Sequence, residues 1–156
     1  MRLFKLLAAM LAITIAGWSV PAAAQATANP ATIAAALQRA GLPAKINTPT
    51  DGSPPYIESS KDGTTFAVFM LNCQSGRNCT TIQFFAGFPD NRANPDSMNV
   101  WNRENRFGRG YISDKGSARI EMDVDMDAGG MSQPLLDDNV SVWTAAMAKF
   151  KSTFSK

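Results

Sequence analysis

Short runs of alternating apolar and polar residues fill the middle of the chain, and each run ends at turn residues. Side chains two positions apart share one face of a strand, so these runs predict strands over residues 44–48, 56–60, 65–71 and 80–88. Lys61-Asp62-Gly63 is typical of a hairpin turn between two of these strands. The pattern therefore predicts an antiparallel meander.

Two asparagine–proline pairs predict the starts of helices, since asparagine is a favoured N-cap and proline is tolerated in the first turn. After Asn29-Pro30, apolar residues recur at helical spacing until Gly41-Leu42-Pro43 ends the helix. The second helix begins at Asn94-Pro95 and is expected to end within residues 108–110. The residues expected to face the core from these helices are Ile33, Ala36, Leu37, Ala40, Val100, Trp101 and Phe107.

A second hairpin follows, with strands over residues 111–113 and 118–126 around the turn Asp114-Lys115-Gly116. Beyond Asp138-Asn139, apolar residues recur at alternating intervals of three and four, which predicts a helix of about four turns. Its apolar stripe consists of Val140, Trp143, Met147, Phe150 and Phe154. We expect this stripe to pack against the sheet, and the seam of a homodimer is the alternative.

The order of elements is helix, strands, helix, strands, helix, with connections of hairpin length. This order predicts an α+β fold in which a twisted antiparallel sheet is flanked by N-terminal, middle and C-terminal helices. The chain contains no internal repeat, and its length is that of one domain, which we place at residues 30–156.

The first 24 residues are typical of a cleavable bacterial secretory signal peptide. A short basic start is followed by an apolar stretch from Leu6 to about Val20, and then by small residues at Ala22 and Ala24. We expect cleavage before Gln25, with Thr27 as the alternative, and a flexible leader over residues 25–29. The apolar stretch is shorter than the roughly 20 residues that span a bilayer. We therefore expect a periplasmic or secreted protein with no membrane attachment after cleavage.

Cleavage also changes the charge balance. The chain has 15 lysines and arginines against 13 acidic residues, and Arg2 and Lys5 leave with the signal peptide. The remaining domain is therefore close to neutral. Because binding to nucleic acid through its phosphates needs a basic surface, nucleic acid is not an expected partner.

The two cysteines, Cys73 and Cys79, both follow the signal peptide and would meet an oxidising compartment. They lie in a segment that predicts a turn between two strands, so we expect a disulfide that staples this turn. The closed loop is short, and such a disulfide stabilises a fold by about 2 kcal/mol. A redox-active pair is the alternative, although the spacing is not the C-x-x-C of redox proteins.

The chain contains no histidine. This excludes the Ser-His-Asp triad and metal sites built on histidine. With both cysteines paired, thiolate catalysis is excluded as well, and carboxylate chemistry or binding remains. We therefore expect a protein that is not an enzyme and that uses no cofactor and no catalytic metal.

The strongest acidic cluster comprises Asp123, Asp125 and Asp127. The spacing begins like a calcium-binding EF-hand loop, but Ala128 replaces the required glycine and Pro134 replaces the required glutamate. Strict alternation instead predicts a strand whose carboxylates share one face. These carboxylates are expected to be solvated or paired with arginine, and a divalent cation or a glycosidase-like carboxylate pair are the alternatives.

A basic segment precedes this cluster and contains Trp101, Arg103, Arg106 and Arg109 among asparagines and aromatic residues. The arginines are expected to form ion pairs with Asp123, Asp125 and Asp127 on the neighbouring hairpin. The alternative is a surface for an anion, a carbohydrate or a protein partner, formed by these arginines with Trp101 and the three aspartates.

Several of these segments together resemble the YbjN-domain family, and the resemblance covers roughly residues 30–154. The matching segments are Trp101-Asn102-Arg103-Glu104-Asn105-Arg106-Phe107-Gly108-Arg109, the strand that begins at Tyr111, Glu121-Met122-Asp123-Val124-Asp125, Gly129-Gly130-Met131 and the closing tryptophan-containing helix. The resemblance implies a bacterial sensory-transduction regulator with a fold similar to type III secretion chaperones. It supplies no catalytic residues. The export signal departs from the family pattern, since family members are often cytoplasmic. The cysteine pair is a second departure.

Three functional hypotheses follow. The first is an exported, non-catalytic binding, chaperone-like or regulatory domain that acts through a protein partner. The second is a small periplasmic protein that binds a ligand such as a carbohydrate or inhibits a hydrolase. The third is a carboxylate-dependent hydrolase, which requires two acids that converge in a cleft.

Overall fold

The computed structural model describes residues 25–76 and 78–156. The predicted signal peptide lies outside the described residues. The helices are α1 (Pro30–Arg39), α2 (Pro95–Glu104) and α3 (Gln133–Phe154). The strands are β1 (Lys45–Asn47), β2 (Tyr56–Lys61), β3 (Thr64–Leu71), β4 (Thr81–Phe88), β5 (Arg109–Ile112) and β6 (Ala118–Asp125). No helix among these residues is long and apolar enough to span a bilayer.

The six strands form one antiparallel sheet in the order β1-β2-β3-β4-β6-β5. The first four strands are neighbours in sequence and in space, as a meander requires. β6 then pairs with β4, and the shorter β5 lies at the outer edge. The structure confirms the predicted α+β fold with an antiparallel sheet and three helices.

One face of the sheet forms the hydrophobic core. Val68, Phe84 and Met122 lie side by side across β3, β4 and β6 and are buried. The indole of Trp143 on α3 stacks on Phe84, with ring centroids 5.5 Å apart. The whole apolar stripe of α3 is buried within this core. The stripe therefore packs against its own sheet, and the alternative that it forms a homodimer seam is wrong.

Helix α2 ends earlier than the sequence predicts. Its last residue is Glu104, and the C-cap Asn105 has an extended backbone. Phe107 therefore lies beyond the helix and is 56 % exposed, while Val100 within it is 39 % exposed. The expectation that both face the core is wrong. In α1, Ala40 is the C-cap and is exposed, while the other predicted core residues are buried.

Helix α3 begins earlier than predicted, and its length is 22 residues. Ser132 is the N-cap, and its hydroxyl accepts a hydrogen bond from the backbone N–H of Leu135. Pro134 occupies the first turn, where its missing N–H has no cost. Asp138 and Asn139, which the sequence places before the helix, lie within it because the cap at Ser132 starts the helix earlier.

Residues 25–29 pack against the domain, which differs from the flexible leader that the sequence predicts. Ala26 exchanges two backbone hydrogen bonds with Met131, of 2.7 and 2.9 Å, and is buried. Ala28 forms a bridge with Cys79. Gly130 permits this approach, because a Cβ at its position would overlap the carbonyl group of Ala26. The local sequence carries no sign of this contact, which depends on residues about one hundred positions away.

Cys73 and Cys79 form the expected disulfide across the turn between β3 and β4. Their Cα atoms are 3.9 Å apart. Since Cys79 also bridges Ala28, the staple joins the turn to the N-terminal segment.

Candidate functional site

The tryptophan of the basic segment is part of the core. Trp101 is 4 % exposed, and its indole Nε1 donates a hydrogen bond of 2.9 Å to the backbone carbonyl of Gly108. Its ring also packs edge-on against Phe150, with centroids 5.0 Å apart. The expectation that Trp101 faces the core is confirmed, and its indole is therefore not part of an exposed partner surface.

Asn102 holds the same segment against the sheet. Its side chain accepts a hydrogen bond of 2.8 Å from the N–H of Gly110 and donates one of 2.9 Å to the carbonyl of Gly110. A side chain at Gly110 would not fit, since its Cβ would lie 2.9 Å from Phe150 and 3.0 Å from the Trp101 ring. The segment from Trp101 to Gly110 is therefore a structural latch that joins α2 to β5.

The three arginines of this segment point to different places. Arg103 lies 3.7 Å from Glu104 in an exposed pair on α2. Arg109 on β5 forms a 3.1 Å ion pair with Glu121 on β6. Arg106 is exposed in the loop between α2 and β5. The ion pairs predicted with the three aspartates are absent from the described residues. Arg109 pairs with Glu121 instead, because the register of β5 on β6 places these two residues opposite each other.

The aspartates alternate with core residues along β6, as predicted. Met122, Val124 and Met126 are buried, while Asp123 and Asp125 are exposed on the opposite face and Asp127 is exposed beyond the strand. The side chain of each aspartate accepts one hydrogen bond: Asp123 from the Gln83 side chain over 2.8 Å, Asp125 from the N–H of Asp127 over 3.0 Å, and Asp127 from the N–H of Ala128 over 2.8 Å.

The positions of the aspartates can be compared with the two alternatives for the acidic cluster, a glycosidase-like carboxylate pair and a divalent cation. Asp123 and Asp125 lie in a row on an open sheet face, whereas a hydrolase needs two acids that converge on one bond. Over residues 25–76 and 78–156, the acidic and cysteine side chains form no group of three that could hold a metal ion.

The second face of the sheet carries a row of aromatic side chains that the sequence analysis did not single out. We call this surface the outer face. Tyr56 on β2, Phe69 on β3 and Phe85 on β4 follow one another with ring centroids 5.7 and 5.8 Å apart. All three are partly exposed, because the buried residues of α1, α2 and α3 pack with the core on the other side.

Arg119 extends this row toward the far edge of the sheet. Its guanidinium carbon lies 5.6 Å from the ring centroid of Phe85 and 5.9 Å from that of Tyr111, at cation–π distance from both. The hydroxyl of Tyr111 donates a hydrogen bond to Glu121. Partial burial, and secondarily this hydrogen bond, raise the pKa of Tyr111 above 10.0. The phenol is therefore a neutral donor at physiological pH.

The outer face is charged at both ends of β6. Arg119 lies near its start and Arg109 on β5 lies opposite its middle residue Glu121, whereas Asp123 and Asp125 lie near its end. Of the sequence-predicted surface residues, the fold thus brings Arg109, Asp123 and Asp125 onto one face. Arg103 and Arg106 belong to the helix and loop that lie before β5.

A signal for the outer face exists in β3 and β4. Both strands carry large apolar residues on both faces, for example Phe69 beside Val68 and Phe85 beside Phe84. A sheet with one solvated face normally alternates apolar and polar residues. The departure from alternation indicates an apolar surface outside the core.

Comparison with known proteins gives one finding. The model of the YbjN family, described as "Putative bacterial sensory transduction regulator", matches residues 29–156. Neither a search of curated proteins nor one of solved structures gives a significant match. The matched range contains all three helices and all six strands of the described fold, together with the latch and the acidic strand. The chain therefore belongs to the YbjN family.

Proposed function

We propose that this chain is an exported, non-catalytic regulatory domain that acts by binding a protein partner on the outer face of its sheet. The observation that carries the proposal is the row of Tyr56, Phe69 and Phe85, which the helices leave uncovered. Membership of a family described as sensory transduction regulators supports the regulatory role.

Protein interfaces favour this combination of side chains. Tyrosine, phenylalanine and arginine are enriched at interface cores. The aromatic rings bury large areas with few rotatable bonds, and the guanidinium adds directed hydrogen bonds. The outer face presents three aromatic rings together with Arg119 and Tyr111. The aromatic rings and Arg119 already contact one another on the hydrogen-bonded sheet, so binding would order few additional side chains.

The face of the sheet is a better contact surface than its edges. The edge strands β1 and β5 have only three and four residues, respectively. Short edge strands offer few backbone groups for the addition of another strand. A partner would therefore contact side chains rather than extend the sheet.

The charges of the outer face define the partner's chemistry. Asp123 and Asp125 form no ion pair within the described part of the chain. The expected partner brings apolar side chains onto the aromatic row and lysine or arginine side chains to these two aspartates. Opposite charges on the two surfaces would also raise the association rate.

Site-specific photocrosslinking in the native bacterium tests this proposal. A photoreactive phenylalanine analogue replaces Phe69 on the outer face in one strain and Leu135 in another. Leu135 is a matched control, because it is a large apolar residue that is 50 % exposed on α3. We expect one discrete protein to crosslink at position 69 and none at position 135. Circular dichroism checks that both variants keep the fold.

A charge reversal then tests specificity with the captured protein in purified form. Asp123→Lys with Asp125→Lys should weaken its binding by about tenfold or more, since each reversed charge meets a basic partner group. Asp114→Lys, in the turn between β5 and β6, is the control and should bind as the wild type does. Equal binding by both variants, or crosslinks only between copies of this chain, would overturn the proposal.

The export part of the proposal rests on the first 24 residues and on the packing of Ala26. Cleavage before Gln25 keeps the Ala26 pairing with Met131, whereas cleavage before Thr27 removes it. We therefore expect the periplasmic fraction to contain a protein whose first residue is Gln25. Intact-mass measurement of the purified protein checks this, and a full-length protein that stays in the cytoplasm would contradict it.

A further inference from the structure

A cavity of about 400 Å³ lies on the helix side of the sheet, away from the outer face. Its walls come from the turn between β2 and β3, from the segment after β4 and from the last turns of α3. Cavities that bind small molecules have volumes of about 300–1,000 Å³. This cavity is therefore large enough for a small organic molecule.

Three unpaired cations converge on this cavity. Lys61 comes from β2, Arg92 from the segment between β4 and α2, and Lys151 from α3. None of the three forms an ion pair in the described part of the chain. A fourth cation, Lys156, lies 3.7 Å from Asp90. Asp62 also lines the cavity, so the cations outnumber the acidic side chains around it.

Single hydrogen bonds orient the three cations and leave other donors free. Lys61 Nζ lies 3.4 Å from Thr144 Oγ1, and Lys151 Nζ lies 3.4 Å from the backbone carbonyl of Asp62. Arg92 Nη2 donates to the carbonyl of Ser155 over 2.8 Å. An ammonium has three donors and a guanidinium has five, so each group can also bind an anion in the cavity.

A structural role accounts for part of this arrangement. Cations near the C-terminus of a helix are stabilised by its dipole, which explains Arg92 and Lys151 at the end of α3. It does not explain Lys61, whose contact on α3 lies well before the end of that helix. Lys61 contacts Thr144, which is only 5 % exposed and lies ten positions before the last residue of α3. Lys61 is therefore held at the cavity wall for a reason other than helix capping.

The cavity also has an apolar part, formed by Met147 and Ala148 on α3. We propose that this cavity binds a small phosphorylated organic molecule, with its phosphate held by Lys61, Arg92 and Lys151 and its apolar part against Met147 and Ala148. Such a site would give the domain a small-molecule effector in addition to its protein partner. The two binding surfaces lie on opposite faces of the sheet, so each can be tested without the other.

Calorimetric titration of the exported form with phenyl phosphate tests the proposal. We expect saturable binding, with inorganic phosphate about tenfold weaker because it lacks the apolar part, and no binding of phenol. Lys61→Met with Lys151→Met should weaken phenyl phosphate binding by about a hundredfold, since each lost charged hydrogen bond corresponds to about tenfold. Lys149→Met is the matched control on α3, because this lysine contacts Asn105 outside the cavity, and it should bind as the wild type does.

Methionine-methyl NMR locates the ligand independently. The Met147 signal should shift on addition of phenyl phosphate, while that of Met126, one residue beyond β6, should not. Three results would overturn the proposal. They are the absence of phenyl phosphate binding, an equal loss of affinity in the Lys149 variant and the double variant, and a shift of the Met126 signal alone. None of these results depends on the protein partner of the outer face.

Discussion

The indole Nε1 of Trp101 donates a hydrogen bond to the carbonyl oxygen of Gly108, 2.9 Å away. The corresponding group of Trp143, which is fully buried, has no hydrogen-bond acceptor within the described residues. The two tryptophans therefore share the same core but differ in one interaction. Trp101 fixes the connection between α2 and β5, whereas Trp143 acts through packing on Phe84.

This difference predicts unequal effects of the same substitution. Trp101→Phe leaves the Gly108 carbonyl without its partner, which costs about 1–3 kcal/mol in addition to the lost packing. Trp143→Phe loses packing but also removes an unpaired buried donor. We expect Trp101→Phe to lower the free energy of unfolding more, as measured by urea denaturation. A larger loss in Trp143→Phe would contradict the assigned hydrogen bond.

Gly110 is required by packing. Gly110→Ala would place a Cβ 2.9 Å from Phe150, and the resulting overpacking should destabilise the fold by about 1–3 kcal/mol. Gly87→Ala is the matched control in β4, because a Cβ there meets its nearest atoms at 3.8 Å. Its effect should stay within about 0.5 kcal/mol. Thermal unfolding of both variants gives the comparison. Equal losses of stability would show that the close contacts around Gly110 do not cause the destabilisation.

The packing of the N-terminal segment predicts a difference between two other glycines. Gly116 and Gly130 both have positive φ, 78° and 92°, so alanine is strained at each. A Cβ at Gly130 also overlaps the Ala26 carbonyl, whereas one at Gly116 has no atom within 4 Å. Gly130→Ala should therefore release residues 25–28 and speed the exchange of the Ala26 amide hydrogen. Unchanged exchange in this variant would show that the segment does not need Gly130, and Gly116→Ala provides the baseline.

Loss of the Cys73–Cys79 disulfide should destabilise the domain by about 2 kcal/mol, because the open chain gains loop entropy. The measurement is urea denaturation of the wild type with and without reductant. Cys73→Ser with Cys79→Ser should match the reduced wild type and should not respond to reductant. If thiol titration shows full reduction and the urea midpoint is unchanged, the staple is not a stability element.

The ion pair between Arg39 and Asp137 predicts a pH dependence. Arg39 Nη2 lies 2.8 Å from Asp137 Oδ1 and joins α1 to α3, and this hydrogen bond lowers the pKa of Asp137 below 3.8. A lowered pKa contributes stability above the unfolded value and loses it as the pH falls through the folded value. Both side chains are about 40 % exposed, so the effect is small.

Asp137→Asn should therefore lower the urea midpoint slightly at pH 7, and its difference from the wild type should shrink as the pH falls below the ordinary pKa of an aspartate. Asp138→Asn removes the same charge one residue further along and is the control, since Asp138 has no ion pair in the described part of the chain. A difference between wild type and Asp137→Asn that persists at low pH would contradict the ion-pair assignment.

Prediction from the sequence succeeded where local pattern and local chemistry suffice. The strands β2, β3 and β4 lie within one residue of the predicted ranges, because short runs rich in apolar and β-branched residues between turn residues indicate strands directly. The caps at Asn29 and Asn94 were located by residue types that act within one helical turn. Prediction failed for Phe107 because a strongly polar segment does not show where its helix ends, and for residues 25–29 because their partner Met131 is distant in sequence.

The candidate site was predicted only in part for the same reason. That Asp123 and Asp125 share a solvent-facing side follows from the period of a strand, and the sequence alone determined it. The pairing of Arg109 with Glu121 and the row of Tyr56, Phe69 and Phe85 depend on which strands become neighbours. Strand order and register are set by the packing of the whole core, so only the tertiary structure decided which side chains meet on the outer face and around the cavity.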